Sequence, residues 1–195
     1  MSHKSRPEAV EASTVITVQQ GDCAVSAEPE VVFSTVLGSC IATCVRDVVA
    51  RVGGMNHFLL PEYQGFDADG LTGASARYGA YAMERLINKV LAAGTGRKAN
   101  LEFKIFGGGR INPALNDVGA ENIAFVRTFL KTENYTLLAE DVGNVFSRRV
   151  MFWPGSGRAL VKRLGSADNV VIGKSELRAR PAESRRESSV DIELF

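Results

Sequence analysis

Apolar positions along the chain fall into short blocks of period two, broken by two longer stretches of helical period. Thr14–Val18 (TVITV) is β-branched and predicts a strand, and Gly21-Asp22 predicts a turn after it. Val31–Val36 predicts a second strand. Leu37-Gly38-Ser39-Cys40 interrupts the pattern, and Ile41–Val45 resumes it. Arg51–Leu60 predicts a further strand closed by Pro61, and the Gly- and Asp-rich residues 62–74 a loop. Met83, Leu86, Ile87, Val90 and Leu91 recur at the spacing of one buried helical face, with Gly94 and Gly96 as stop signals. Leu101–Phe106 alternates as a strand and ends in Gly107-Gly108-Gly109. A second helix is predicted over Asp117–Thr132, with Asp117 as N-cap and Ile123, Val126 and Leu130 as its core stripe. Thr136–Glu140, Arg148–Trp153 and Ala159–Leu164 predict three closing strands, the last two separated by Pro154-Gly155-Ser156-Gly157. Strands, helix, strand, helix and strands in that order predict an α+β single domain with mixed, mostly antiparallel β-sheets packed with two principal helices.

The ends differ from this middle. Residues 1–13 are polar and predict a flexible N-terminus without the apolar core of a signal peptide. From Lys174 to Ser189 charge and Ser dominate, which predicts a disordered tail. That tail ends in the apolar Val190–Phe195, a frayed end or a short docking segment. The expected organisation is therefore 1–13 flexible, 14–173 folded domain, and 174–195 tail. A chain of 195 residues is long enough to bury a core without disulfides or metals. Its Lys+Arg count of 23 nearly balances the 22 Asp+Glu, so no broad field favours nucleic acid or an anionic membrane. No apolar run is long enough to predict membrane insertion. Three Cys, an odd number, argue against a disulfide framework and for a reduced, cytoplasmic protein.

Candidate chemistry centres on Cys40 and His57. His3 lies in the polar N-terminus, so His57 is the one His inside the patterned region. If Ile41–Arg46 and Arg51–Leu60 form a hairpin turning at Asp47–Ala50, Arg46 faces Arg51 and Cys40 faces His57. Directly opposed residues hold their Cβ atoms about 4.5–5.5 Å apart on one face. At that distance a thiolate–imidazolium pair lowers the thiol pKa and makes the sulfur nucleophilic at neutral pH. Gly38 and Ser39, just before Cys40, leave the backbone free to aim N–H groups at a reacting carbonyl oxygen. Asn56 is polar inside an apolar run, either a structural hydrogen-bonder or a group that holds a substrate amide. Zinc is disfavoured: four residues of strand separate Cys40 from Cys44 by about 13 Å, too far for both sulfurs to reach one ion. Gly107–Gly109 with Arg110 matches no phosphate-loop spacing and reads as a turn leaving a strand. Glu140 and Asp141 are adjacent, so on a strand they point to opposite faces and form no acid–base pair. No cofactor is expected.

Val36-Leu37-Gly38-Ser39-Cys40, followed by His57 within Gly53-Gly54-Met55-Asn56-His57-Phe58-Leu59-Leu60-Pro61, resembles the chemoreceptor glutamine deamidases (CheD) of bacterial chemotaxis. Arg77-Tyr78-Gly79, Lys104–Gly108, Ile123–Leu130, Ala139-Glu140-Asp141 and Arg148-Arg149-Val150 extend the similarity from about Thr14 to Leu164. The resemblance implies a Cys-His hydrolase that converts selected receptor glutamines to glutamates and releases ammonia. It implies Cys40 as nucleophile and His57 as base. The family's third residue, a Thr six positions before the Cys, falls on Ser34, with Thr35 beside it. Ser34 lies an even number of residues from Cys40, so an unbroken strand puts both on one face. A bulge at Gly38 would present Thr35 instead. The implied partners are methyl-accepting chemoreceptors as substrates and, in some bacteria, the chemotaxis phosphatase CheC. The rival readings are a non-catalytic chemotaxis adaptor that retains the old site and a redox-sensing cysteine protein.

Overall fold

Among the described residues, the β-branched and aromatic blocks of the sequence become nine strands, and the two helical periods become two helices. The coordinates are a computed structural model describing residues 14–60, 74–111, 117–165 and 172. The expected flexible N-terminus, the loop at 62–74 up to residue 73, and the tail from 174 lie outside the described residues. In chain order the strands and helices are Thr14–Thr17 (β1), Cys23–Ser26 (β2), Val31–Leu37 (β3), Ile41–Asp47 (β4), Val52–Asn56 (β5), Ala74–Ala93 (α1), Leu101–Gly107 (β6), Val118–Thr132 (α2), Thr136–Val142 (β7), Arg148–Phe152 (β8) and Ala159–Arg163 (β9). The pattern foretold all of these but β2, whose CAVS is too short and too mixed to stand out.

The strands form two sheets, β1-β3-β8-β9 and β2-β5-β4-β6-β7. Among the described strands only β1–β3 and β6–β7 pair in parallel, so the fold is α+β with mixed, mostly antiparallel sheets, as expected. Alternation along β4 separates two cores. Ile41 and Val45 pack with Met83, Leu86, Val90, Val126 and Leu130 beneath the helices. Ala42 and Cys44 pack with Phe33, Leu37, Val150 and Phe152 of the other sheet. The result is three layers: helices, five-stranded sheet, four-stranded sheet. Asp117 caps α2 by accepting from Ala120 N. Glu140 and Asp141 point apart, Glu140 to Arg127 on α2 and Asp141 to the fully buried Arg148 on β8 at 3.0 Å.

The β4–β5 hairpin departs from the expected register. Asp47 pairs with Val52, so the turn is residues 48–51, one later than the sequence suggested. The cause is the Asp47 carboxylate, which accepts from Val49 N and Ala50 N at 3.0 Å and so starts the turn after itself. The hairpin therefore sets Ile41, not Cys40, beside the end of the partner strand, bridged to Phe58.

A second departure concerns Gly38. The run from Val31 to Val45 is not one strand with a bulge. The chain leaves the four-stranded sheet after Leu37, bends through Gly38-Ser39, and enters the five-stranded sheet at Ile41. Face parity counted across that joint has no meaning.

Candidate active site

Cys40 stands at the joint between the two sheets. Its carbonyl accepts from Gly108 N at 2.7 Å, and the Gly38 carbonyl accepts from Gly109 N at 2.7 Å. The Ser39 carbonyl accepts from the Asn122 side chain on α2 at 3.0 Å. Three successive carbonyls are thus tied into the protein, which fixes the backbone that carries the thiol. Gly107 and Gly108 make the close approach possible, with φ of +113° and +64°. A Cβ on Gly107 would lie 2.1 Å from the Cys40 carbonyl oxygen.

His57 is held by main chain on the opposite side. Its N–H donates to Asp22 O at 3.1 Å, and its carbonyl accepts from Gly21 N at 2.7 Å, which continues the β2–β5 ladder by one step. With Ile41 bridged to Phe58, Cys40 and His57 are diagonal neighbours across the hairpin, on the face turned to the four-stranded sheet. Such diagonals are about 7–8 Å apart at the backbone, within reach of side chains as long as Cys and His together. The sequence expectation of directly opposed residues is corrected to this diagonal by the later turn.

The imidazole is oriented by Thr35. Its Oγ1 lies 2.8 Å from His57 Nδ1 and donates to Val18 O at 2.8 Å. A hydroxyl has one proton. With that proton committed to Val18, Thr35 accepts from Nδ1–H. This arrangement puts the proton of neutral His57 on Nδ1 and leaves Nε2 as the basic nitrogen. Thr35 points inward with Phe33 and Leu37, whereas Ser34 alternates to the other face of β3; both border a cleft of about 450 Å³. The side chain on the imidazole is therefore that of Thr35, one residue after the position that family spacing selects. The joint at Gly38-Ser39 accounts for the change of phase.

Residues 59–163 match the family model described as CheD chemotactic sensory transduction. A relative from Caulobacter sp. (strain K31), named probable chemoreceptor glutamine deamidase CheD, is 49% identical over 180 residues, 92% of each chain. The chain belongs to the CheD family. A second CheD relative of the same name, from Caulobacter vibrioides (strain NA1000 / CB15N), is 46% identical over 186 residues, 95% of each chain. Among solved structures, Neisseria meningitidis protein NMB0706, of family-model DUF152, aligns with a TM-score of 0.43 at 11% identity, over 68% of this chain and 65% of that one.

Other polar groups of this CheD chain sort by what they touch. Asn56 accepts from Thr43 N at 2.9 Å and donates to Ala82 O at 3.0 Å, so it ties β5 to β4 and α1. Those bonds supply the structural one of its two expected roles. Cys44 is fully buried, and burial pushes its thiol far above the ordinary range, Lys104 opposing only in part. Cys23 is half-buried on β2. Two residues near the site escaped the sequence. Asn122 also accepts from Leu60 N at 2.9 Å, so one side chain braces the segments on both sides of the site. Its signal was a polar residue one helical turn before Val126 in the buried stripe of α2. Gln20 carries the other, its Oε1 3.5 Å from Cys40 Sγ. Nothing in the local sequence marks it. No helix among the described residues is long and apolar enough to cross a membrane.

Proposed function

We propose that the chain is a protein-glutamine deamidase that converts selected glutamines of methyl-accepting chemoreceptors to glutamates in chemotaxis adaptation, with Cys40, His57 and Thr35 as its reacting and positioning groups. The observation that carries the reading is the hydrogen-bonded run from Val18 O through Thr35 to His57 Nδ1, on the face that His57 shares with Cys40. CheD relatives at 46–49% identity are named for the same activity.

The steps follow from the groups present. His57 Nε2 takes the Cys40 proton while Thr35 holds Nδ1–H. The thiolate attacks the side-chain carbonyl carbon of the receptor glutamine. Backbone N–H groups of the Gly38–Cys40 segment stabilise the oxyanion, an effect worth about 3 kcal/mol per donor. The anchored carbonyls of Gly38, Ser39 and Cys40 support that role, because fixed donors need no reorganisation during reaction. Protonated His57 passes its proton to the amide nitrogen, and ammonia leaves. Water, losing a proton to His57, attacks the thioester, and the C–S bond breaks to give glutamate and the free thiol. Neither metal nor organic cofactor enters these steps.

The site of action would be the cytoplasm, where receptors expose their signalling domains, and CheC is a further binding partner under this proposal. The test is incubation of receptor cytoplasmic fragments with the full chain, followed by peptide mass spectrometry and ammonia measurement. Conversion of receptor glutamines by the wild type and none by Cys40→Ala is expected. Conversion by a folded Cys40→Ala protein would remove Cys40 from the reaction. Receptor binding without conversion by the wild type would favour the adaptor reading instead.

A further inference from the structure

The thiol of Cys40 has no exposed surface, although a cleft opens beside it. Gln20, Thr35 and His57 form part of the cleft wall, and Ser34, Val36 and Arg149 continue it outward. Gln20 is a wall residue that touches the sulfur: Cys40 Sγ donates to Gln20 Oε1 at 3.5 Å. The group resting on the nucleophile is thus a glutamine side-chain carboxamide, the same functional group that the proposed reaction consumes.

The backbone beneath this side chain is fixed. Asp22 N donates to Gln19 O at 2.9 Å and closes a tight turn with Gln20 near its tip. Gly21 N and Asp22 O, on the far side of that turn, bond to the main chain of His57. The turn therefore moves with the imidazole as one body. Gln20 has an unbranched side chain, so its carboxamide can leave the sulfur by rotamer change alone, with no backbone motion. The half-exposed position of Gln20 and the adjoining cleft give it somewhere to go.

We propose that Gln20 is an intramolecular competitor of the substrate: its carboxamide holds the place of the receptor glutamine's carboxamide over Cys40, and swings into the cleft when the substrate replaces it. The proposal rests on the deamidase reading for the identity of the displacing group. Its physical basis is an exchange of like for like. Removing Gln20 from the thiol breaks the S–H···O hydrogen bond, and the incoming carboxamide, its oxygen received by the backbone N–H groups of the Gly38–Cys40 segment as in the proposed reaction, takes its place over the sulfur. A group without a carboxamide gains no such contact in exchange, so the cover discriminates against other side chains and small electrophiles. Between turnovers the cover keeps a reactive sulfur from oxidants, to which an exposed thiolate is the susceptible form.

The test compares the full-length wild type with Gln20→Ala and Gln20→Met, checking first that melting temperatures agree. Each protein reacts with methyl methanethiosulfonate, a small electrophile without a carboxamide, at neutral pH, and modification of Cys40 is followed by peptide mass. Gln20→Ala removes the cover and should label about three- to tenfold faster, the factor for losing one weak hydrogen bond. Gln20→Met keeps the bulk and should fall between the two. With a receptor fragment as substrate, Gln20→Ala should lower KM. Labelling of Gln20→Ala no faster than wild type would overturn the proposal. So would a tenfold or greater loss of kcat at constant KM, which would make Gln20 a donor to the transition state. Faster labelling in a protein that converts no receptor glutamine would defeat the deamidase reading and leave the cover standing.

Discussion

Replacing Gly107 by Ala perturbs the backbone of Cys40, the proposed nucleophile, without touching a proposed reacting group. The added Cβ would sit 2.1 Å from the Cys40 carbonyl oxygen, where ordinary contact begins at 3.4 Å. One of the two backbones must therefore shift by about an ångström. Neither is free to do so. Gly107 O accepts from Arg148 at 2.9 Å and from Gly143 N at 2.9 Å, while Cys40 O is held by Gly108 N. Two penalties add. A non-Gly residue at φ of +113° costs about 1–3 kcal/mol. Overpacking a site that cannot relax costs a further 1–3 kcal/mol or so. The sum, roughly 2–6 kcal/mol, corresponds to a fall in Tm of at least about 4 °C for a domain of this size. A misplacement of about 1 Å at the reacting atom lowers turnover by about 100-fold. Gly96→Ala provides the control. Gly96 also has positive φ, +70°, but the nearest atom to its Cβ position is 3.9 Å away, so this variant carries strain without overlap. The assay is thermal unfolding by circular dichroism together with ammonia release. Gly107→Ala should lose both stability and turnover, and Gly96→Ala a little stability only. A Gly107→Ala protein that melts with the wild type and turns over within a factor of two would refute the argument.

Three other outcomes follow from the same geometry. Thr35→Val removes the acceptor that holds Nδ1–H and should lower kcat by about 10–100-fold, while Ser34→Ala, on the other face of β3, should lower it far less; steady-state ammonia release decides, and the reverse order would return the role to Ser34. Asn122→Leu leaves Ser39 O and Leu60 N without their partner and should destabilise the protein by about 2–4 kcal/mol, read as a shift of the urea midpoint; an unshifted midpoint would show that the bracing is dispensable. For Asp47, burial alone would raise the carboxyl pKa, but donors at Ala50, Thr95 and Val49 outweigh it and hold the group below its ordinary value. A lowered folded value means that its stabilisation is complete above the unfolded pKa of about 3.9 and is lost as pH falls through the folded one, so urea midpoints of wild type and Asp47→Asn should converge with acidification below pH about 4, and curves that stay parallel there would contradict this.

Much of this architecture is legible in the sequence because the patterns are local. The stripe from Met83 to Leu91 and the N-cap at Asp117 each lie within a few residues, and they appear where expected. β2 was not legible, because CAVS becomes a strand only by pairing with β5. Cys40 and His57 stood out by residue type, yet their relation depended on where one turn began. Asp47 decided that through a side-chain bond to the two residues after it, which hydrophobic pattern does not encode. Thr35 and Ser34 are indistinguishable by hydroxyl chemistry; the choice rests on the chain changing sheets at Gly38-Ser39. Gln20 was invisible, since its partner lies 20 residues away across the fold.

The change of sheets has a consequence for how activity arises. Thr35 belongs to the four-stranded sheet, His57 extends the five-stranded one, and Cys40 sits on the segment that joins them. Neither sheet alone contains the proposed site. Enzymatic competence is therefore a property of the closed sandwich, and a chain with only one sheet formed would carry the residues but not the reaction. Turnover regained during refolding should lag behind secondary structure and coincide with the docking of the two sheets.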